Sequence, residues 1–315
     1  MTPASDVEPA PFDPQRPFRR RTALAAGVTA KRLRGPEFRQ LTWGVYVDAA
    51  LPVTPRLLAQ ATVVPFDATA FARHASAARI HGTPIPVLPD EHVTVLEPTH
   101  RRRRRGTVCH LRTTAVITVV DGTRVSSYRQ MFVELAELLS LVDLVVVGDW
   151  LVRRKGVEPE QLRAFCADST LPGAALAREA ASYVRERVDS PMETRLRMLL
   201  VLAGLPEPAV NPTLRAHDGA PRRRYDLHYP ASNTIVEYDG RQHAEREEQW
   251  ESDLERREAI DDDHARLLVV TAKGIYQHPE RTVDKVWRTL RERGEPNVPA
   301  RLSDAWRRHF PGRGE

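Results

Sequence analysis

An acidic residue, Glu237, stands inside the apolar run TIVEYDG at residues 234–240. A run of this composition is typical of a buried strand, where an ionised carboxylate is costly unless it is paired or bound to a metal. Asp239 follows two positions later and therefore points to the same face of such a strand. The chain must fold so that these two like charges meet a cation or protons.

The surrounding residues predict an α/β domain at 188–295 with the element order αβββαβα, a sandwich around a small mixed sheet. The sequence SPME at 190–193 begins a helix, with a serine N-cap, a proline at the first helical position and a glutamate three residues on. The turn sequence PASN joins the second and third strands in a hairpin, and a long polar helix follows at about 244–263. The three predicted strands are AVNPTL, RRYDLHY and TIVEYDG.

The pairing of these strands would gather carboxylates at one place. Asp226 lies in the middle of RRYDLHY, so we expect it beside Glu237 and Asp239 on the next strand. Carboxylate oxygens suit Mg²⁺ or Mn²⁺, which bind phosphate oxygens at the same time and activate water for phosphodiester hydrolysis. His243 follows Gly240 closely and is the candidate general base or leaving-group acid, since histidine exchanges protons near neutral pH.

Each acidic residue also has a purely structural interpretation. Glu193 could close a capping box with Ser190. Asp226 could form a surface ion pair with the basic run at 222–224, and Asp239 with Gly240 could be no more than a turn. Taken together, the order of a helical Glu, a strand Asp and a strand Glu-x-Asp favours the metal site.

These motifs resemble the PD-(D/E)XK, restriction-endonuclease-like superfamily, in its branch related to very-short-patch-repair endonucleases. The resemblance covers residues 190–293 and is carried by SPMETRLRMLL, by the Asp of RRYDLHY, by IVEYDGRQH, and by DLERREA before LLVVT. It implies a Mg²⁺- or Mn²⁺-dependent DNA endonuclease. In that family pattern Glu193 is the acidic residue on the helix, Asp226 the central metal ligand and Glu237 the second ligand.

The chain departs from the family pattern at one position. Asp239 stands where the superfamily usually has a lysine that positions the nucleophile and stabilises developing charge. His243 or a lysine from elsewhere, such as Lys273, would have to take that role. The alternative is a nuclease fold that has lost its activity.

The segment 16–85 predicts a small helix–turn–helix unit followed by a hairpin. Gly27 supplies a left-handed turn residue between two short helices, and Thr29 is a suitable N-cap for the second. Two alternating apolar runs around Trp43 and Gly44 predict the hairpin.

This segment resembles the N-terminal winged helix of AbiEi-type antitoxins, through A-x-x-A-G-V-T, the basic helix after it and the G-V-Y strand. The resemblance implies a helix that reads the major groove while flanking basic residues hold phosphates. The alternatives are a small domain whose arginines keep it in solution, or a winged helix that serves protein contacts. The residues expected to face DNA are Lys31, Arg32 and Arg34, and those expected on the DNA backbone are Arg19, Arg20 and Arg21.

Between these two units, residues 86–187 predict a middle region of mixed strands and helices. The unbroken basic run Arg101–Arg105 either clamps a phosphate backbone or forms a mobile surface loop. The most apolar stretch, Val133–Val152, contains Glu134 and Asp149 among four carboxylates, which excludes a membrane span.

The composition agrees with an anionic partner but does not establish one. The formal net charge is +5 and the isoelectric point is about 9.4. Most basic residues are arginines, which suit phosphates and guanine edges, although a GC-rich genome produces the same bias. Two cysteines without a CxxC motif argue against a zinc ribbon and for a reducing, cytoplasmic location.

The sequence therefore predicts an α+β multidomain protein: a disordered tail at 1–15, a winged helix-turn-helix at 16–85, the middle region at 86–187, the endonuclease-like domain at 188–295 and a tail at 296–315. The first functional hypothesis is a Mg²⁺-dependent deoxyribonuclease delivered to DNA by its N-terminal unit. In this hypothesis the residues that hold the metal are Glu193, Asp226 and Glu237, while Asp239 assists and His243 transfers protons. The second is a winged-helix regulator or antitoxin-like protein with an inactive nuclease fold. DNA is the expected partner in both, no membrane is expected, and a protein partner would be a toxin or a repair factor.

Overall fold

The computed structural model describes residues 12–112, 115–215, 221–240 and 265–312. The contacts group the chain into two compact units, Met1–Leu135 and Ala136–Glu315, and the division falls within the predicted middle region. Each unit combines helices with β-sheet, so the fold is α+β with several sheets. Most of the predicted N-terminal tail lies outside the described residues, as does the long helix predicted at about 244–263.

The N-terminal unit begins with two short helices and a three-stranded sheet of order β1-β3-β2. These elements are β1 (Phe18–Arg19), α1 (Arg20–Ala25), α2 (Ala30–Leu33), β2 (Phe38–Thr42) and β3 (Val45–Asp48). Gly27 has a φ of 85° between the helices, Thr29 Oγ1 accepts the N–H of Arg32 at 3.2 Å as the N-cap, and Gly44 turns the β2–β3 hairpin with a φ of 75°. These local predictions are confirmed.

The rest of this unit is a five-stranded sheet of order β6-β5-β4-β8-β7 with helices against it. Strands β5 and β6 are parallel, and their register sets His92 beside Val108 and Thr94 beside His110. Helix α4 packs against β5 and β8. The elements are α3 (Pro55–Val63), β4 (Phe71–Ala72), α4 (His74–His81), β5 (Glu91–Val95), a 3₁₀ turn (Pro98–His100), β6 (Thr107–Leu111), β7 (Ile117–Val120), β8 (Thr123–Ser126) and α5 (Tyr128–Leu135).

The C-terminal unit packs helices against a four-stranded sheet of order β14-β13-β12-β9. Strands β12 and β13 form the predicted antiparallel hairpin, and β14 runs parallel to β13. Its helices and strands are α6 (Leu141–Lys155), α7 (Pro159–Asp168), α8 (Ala174–Tyr183), α9 (Pro191–Leu202), β9 (Ala209–Val210), β10 (Thr213–Arg215), β11 (Pro221–Arg224), β12 (Leu227–Tyr229), β13 (Thr234–Asp239), β14 (Arg266–Thr271), α10 (Ala272–Tyr276) and α11 (Pro279–Glu292).

Two of the strands predicted from sequence are each divided in the structure. AVNPTL gives β9 and β10, and RRYDLHY gives β11 and β12, because β10 and β11 pair with each other in a separate two-stranded sheet. The chain passes from one sheet to the other at Asn211 and at Asp226, and the N–H of Asn211 donates to the carbonyl of Asp226 at 2.9 Å. Asp226 is therefore at the start of β12 and not in the middle of a strand.

The C-terminal residues pack on this unit. Trp306 and Phe310 are buried, and the N–H of Ser303 donates to the carbonyl of Ala203 at 2.9 Å. The segment predicted as a tail from residue 296 thus contributes to the hydrophobic core as far as it is described.

A buried ion pair joins α6 to α9. Asp149 Oδ2 accepts hydrogen bonds from Arg197 at 2.9 Å and from the Thr194 hydroxyl at 2.8 Å, while Oδ1 accepts the N–H of Arg185 at 2.8 Å. Burial raises the pKa of Asp149, and the Arg197 charge opposes that rise. The pair holds α9, which carries Glu193, against α6. None of the described helices combines the length and apolar character that a bilayer span requires.

Removal of Arg197 should leave Asp149 as an unpaired buried charge and so lower the stability of the protein. We expect Arg197→Met to lower the free energy of unfolding by about 3–5 kcal/mol, because it leaves the buried Asp149 without its counter-charge. Arg288 pairs with Asp284 on the exposed face of α11, so the control Arg288→Met should cost at most about 0.5 kcal/mol. Urea unfolding measures both, and equal costs for the two variants would contradict the assignment.

Candidate functional site

Asn211, Asp226 and Glu237 form a row across the C-terminal sheet. The β12–β13 pairing begins at Leu227 and Val236, so Asp226 and Glu237 are the next residues beyond it on the two chain segments. The β9–β12 pairing also ends at Leu227, and the N–H of Asn211 donates to the carbonyl of Asp226 just beyond it. Two of the predicted carboxylates therefore belong to this row.

Asp226 also ends the hydrogen-bond ladder of its hairpin. Its Oδ2 accepts the backbone N–H of Tyr238 at 2.8 Å, which brings the carboxylate to the residue that follows Glu237. Asp226 is half-buried, and Glu237 is only 5% exposed. Arg224, one of the three arginines considered as its partner, pairs with Asp189 at 2.6 Å.

Glu193 caps its helix and also contacts the row. Its Oε2 accepts the N–H of Asp189 at 2.9 Å, and its own N–H donates to Ser190 Oγ at 3.2 Å. This is a capping box displaced by one residue, because the carboxylate reaches Asp189 and not Ser190. The same Oε2 accepts Asn211 Nδ2 at 2.6 Å, so Asn211 links the helix to the row.

Asn211 was not selected from the sequence. It has a φ of 42° and is buried, and Asn is among the residues that tolerate this region best. The signal was the Asn-Pro pair within AVNPTL, which marks a turn inside a strand-like run. The turn places the side-chain amide on Glu193 instead of in a ladder.

The remaining predicted site residues lie at or beyond the end of β13. Asp239 is half-buried and aligns with Thr271 on β14, two residues before the exposed Lys273. His243 lies outside the described residues. The predicted substitution of a lysine or histidine for the missing family lysine therefore stays a prediction.

Two carboxylates suit Mg²⁺ only when water or substrate oxygens complete its coordination. Mg²⁺ keeps several waters and is commonly held by one or two carboxylates together with substrate phosphates, which Asp226 and Glu237 can supply. Among the residues that the structure describes, no three carboxylates form a group that could hold one metal ion. A site with Glu193 as a third direct ligand is not assembled in this arrangement.

The six residues expected to contact DNA are in different environments. On α2, Lys31 is exposed, but Arg32 pairs with Glu37 at 2.6 Å and Arg34 Nε donates to the carbonyl of Ala30 at 3.2 Å. Helix α2 has only four residues, which leaves little surface for a groove.

The three consecutive arginines at 19–21 also lie in different environments. Arg19 donates to the carbonyls of Val64 and Phe66, and burial together with the charge of Arg21 lowers its pKa. Arg20 and Arg21 are exposed. Arg19 is a structural residue of the unit, whereas Arg20 and Arg21 present their charge to solvent.

A basic cleft lies beside the β2–β3 hairpin. Its volume is about 580 Å³, and its lining includes Arg20, Arg21, Arg104 and Trp43. Trp43 is 81% exposed at the hairpin turn, and Arg104 donates to its carbonyl at 3.4 Å. Arg104 also lines a second cleft of about 800 Å³ formed by the run Arg101–Arg105. The basic run and the hairpin therefore form one positively charged surface, here called the basic surface.

Three histidines lie close together where α4 packs on the five-stranded sheet of the N-terminal unit. The ligand nitrogens of His74, His92 and His110 lie within 4.8 Å of one another, and His92 Nδ1 is 3.1 Å from His110 Nε2. Burial lowers the pKa of His92 to about 4 and that of His110 to about 3, and it also lowers the pKa of His74. The rings are therefore neutral at pH 7. They were missed because metal motifs are recognised by short spacings, and these residues are 18 apart in sequence.

His74 has a strained backbone held by a buried carboxylate. Its φ is 47°, a region that costs about 1–3 kcal/mol for a residue of this size and that persists only where the surroundings enforce it. The N–H of His74 donates to Glu134 Oε2 at 3.1 Å, and Glu134 pairs with Arg73 at 3.6 Å.

The hydrogen bond from Asn211 to Glu193 should make a measurable contribution to the free energy of unfolding. We expect Asn211→Ala to cost about 1–3 kcal/mol more than Asn297→Ala, because it leaves the buried Glu193 carboxylate short of one hydrogen bond. Asn297 also has a positive φ, of 62°, but is exposed, so it controls for the backbone. Thermal unfolding of both variants checks this, and similar melting temperatures would remove Asn211 from the site.

The chain was compared with known proteins. No protein-family model matches it, and no curated protein matches it.

Proposed function

We propose that the C-terminal unit is a divalent-metal-dependent DNA endonuclease domain and that the N-terminal unit binds DNA. The observation that carries the proposal is the hydrogen bond by which the Asp226 carboxylate reaches β13, where its Oδ2 accepts the N–H of Tyr238, the residue next to the buried Glu237. A buried glutamate beside a second carboxylate is stable when a cation or proton is shared, and hard oxygen donors select Mg²⁺ or Mn²⁺.

The residues of the row have separate roles in this proposal. Asp226 and Glu237 hold Mg²⁺ or Mn²⁺, and Glu193 acts through its bond to Asn211 as a positioning residue. When bound, the metal supplies charge that polarises the phosphodiester and favours ionisation of a water. Asp239 assists at the end of β13, and proton transfer is assigned to His243.

The second candidate function is a DNA-binding regulator or antitoxin-like protein with a silent nuclease fold. The observation that favours it is the engagement of two acidic groups in structural bonds: Asp226 with the N–H of Tyr238, and Glu193 with Asp189 and Asn211. Under this proposal the row stabilises the sheet.

DNA binding is common to both functions and is supported by the basic surface. Exposed arginines attract phosphates at long range, and an exposed tryptophan among them offers a face on which a base or sugar can stack. Arg20 and Arg21 are exposed and Arg104 is half-buried, and all three line the cleft together with the exposed Trp43. The proposed contact is therefore centred on the hairpin and the basic run, more than on α2.

Cleavage of supercoiled plasmid tests the endonuclease. We expect the full-length protein to nick or linearise plasmid with Mg²⁺ or Mn²⁺, and Asp226→Asn and Glu237→Gln each to lower the rate by at least about 100-fold, or about 2.7 kcal/mol of activation free energy. Chelation of the metal should stop the reaction of the wild type.

The control for this assay is Asp304→Asn, an exposed acidic residue on the last described segment that pairs with Arg307. It should cleave like the wild type. Equal cleavage by the wild type and both row variants would indicate contamination. If the wild type binds DNA but does not cleave it, the second candidate function, a DNA-binding regulator with a silent nuclease fold, is the one that remains.

The basic surface makes a separate prediction about affinity. We expect Trp43→Ala and Arg104→Gln to weaken binding to a labelled duplex, with Arg104→Gln lowering the slope of log affinity against log salt by about 1 for the lost phosphate contact. Fluorescence anisotropy at several salt concentrations measures both effects. Arg32→Gln is the matched control, since Arg32 is already paired with Glu37, and a larger loss there would move the contact to α2.

A further inference from the structure

We propose that His74, His92 and His110 form a three-imidazole binding site for a divalent transition metal of the Zn²⁺ type. The residues come from three elements, the first residue of α4 and the neighbouring strands β5 and β6. The site belongs to the N-terminal unit and is independent of the carboxylate row.

The distances agree with a shared ion. Imidazole nitrogens about 2.0–2.1 Å from a tetrahedral ion lie about 3.4 Å from each other. The observed separation of His92 Nδ1 and His110 Nε2 is 3.1 Å, and all three donor nitrogens fit within 4.8 Å.

The arrangement includes a strained backbone conformation at His74. His74 is the residue with the φ of 47°, and its N–H is anchored by the buried Glu134. Strain of this kind is concentrated at functional sites.

Part of the positive charge around the cluster is compensated. Arg73 and Arg112 both act on His74 and His110. Arg73 is paired with Glu134, and both side chains are 1% exposed. Metal binding uses the neutral form of imidazole.

A fourth ligand position has a polar neighbour. Thr94 lies two residues after His92 on β5 and beside His110 in the register, so it shares their face of the sheet. Its hydroxyl is buried and has no hydrogen-bond partner among the described residues. A water or hydroxide on the metal would satisfy it, as in sites where three protein ligands leave one position open.

The donor type separates this site from the predicted Mg²⁺ site. Imidazole nitrogen suits Zn²⁺, Co²⁺, Ni²⁺ and Cu²⁺, whereas Mg²⁺ takes oxygen ligands. His110 is the least buried of the three and lies on the edge strand β6, which gives an ion a route of entry.

Cobalt titration of the full-length, tag-free protein tests the site. We expect one Co²⁺ per chain, with the intense visible absorption of a four-coordinate ion, displaced by one equivalent of Zn²⁺. His110→Asn should weaken Zn²⁺ binding by at least about 100-fold, more than the roughly 10–100-fold that loss of an outer partner costs. X-ray absorption of the zinc protein should count three imidazoles.

The matched control is His81→Asn. His81 is a buried histidine of the same helix, but its Nε2 contacts the carbonyl of Ser126 at 2.8 Å and it is not in the cluster. It should bind Co²⁺ like the wild type, with circular dichroism confirming the fold of each variant. A wild type that gives only the weak spectrum of six-coordinate Co²⁺, or binds no better than His110→Asn, would overturn the proposal, since the cluster would then be a hydrogen-bonded stack of rings. The wild-type spectrum decides the question even if a variant fails to fold.

Discussion

A buried carboxylate must have its charge satisfied, and each unit of this protein is organised around one. Glu134 meets Arg73 in the N-terminal unit, and Asp149 meets Arg197 in the C-terminal unit, with all four side chains 2% exposed or less. Such pairs add little net stability, since their attraction roughly offsets the cost of desolvation. They fix the positions of the paired residues instead, because moving one partner away leaves the other as an unpaired charge in the core.

Each pair fixes the residues of a candidate site. Glu134 accepts the N–H of His74 and so keeps that residue in its unusual conformation over the sheet. Asp149 holds Thr194 and Arg197, the two residues on α9 that lie one and four positions after Glu193. The helix is therefore fixed where the Glu193 carboxylate meets Asn211. In both units a buried ion pair therefore orients a polar group of a candidate site.

Local sequence signals predicted the elements well and their connections less well. Ser190, Thr29 and Gly27 act as the sequence indicates, because caps and left-handed turns depend on a few neighbouring residues. The division of two strands at Asn211 and Asp226 could not be predicted, since it depends on which sheet each half joins. A carboxylate in an apolar run needs a partner, and this holds for Glu134 and Asp149 as much as for Glu237. In the sequence alone, Glu134 and Asp149 indicate only that their apolar stretch does not span a membrane.

The histidine cluster shows why some sites escape a linear search. Parallel strands β5 and β6 need a connection between them, so residues that become neighbours on the sheet are necessarily distant in sequence. A helix that crosses the same face adds a third residue from elsewhere. The two donor sets of this chain also differ in chemistry, with oxygen in the C-terminal sheet and nitrogen in the N-terminal one. Mg²⁺ prefers oxygen ligands, whereas imidazole nitrogen suits Zn²⁺, so a search for one pattern of ligands does not find the other.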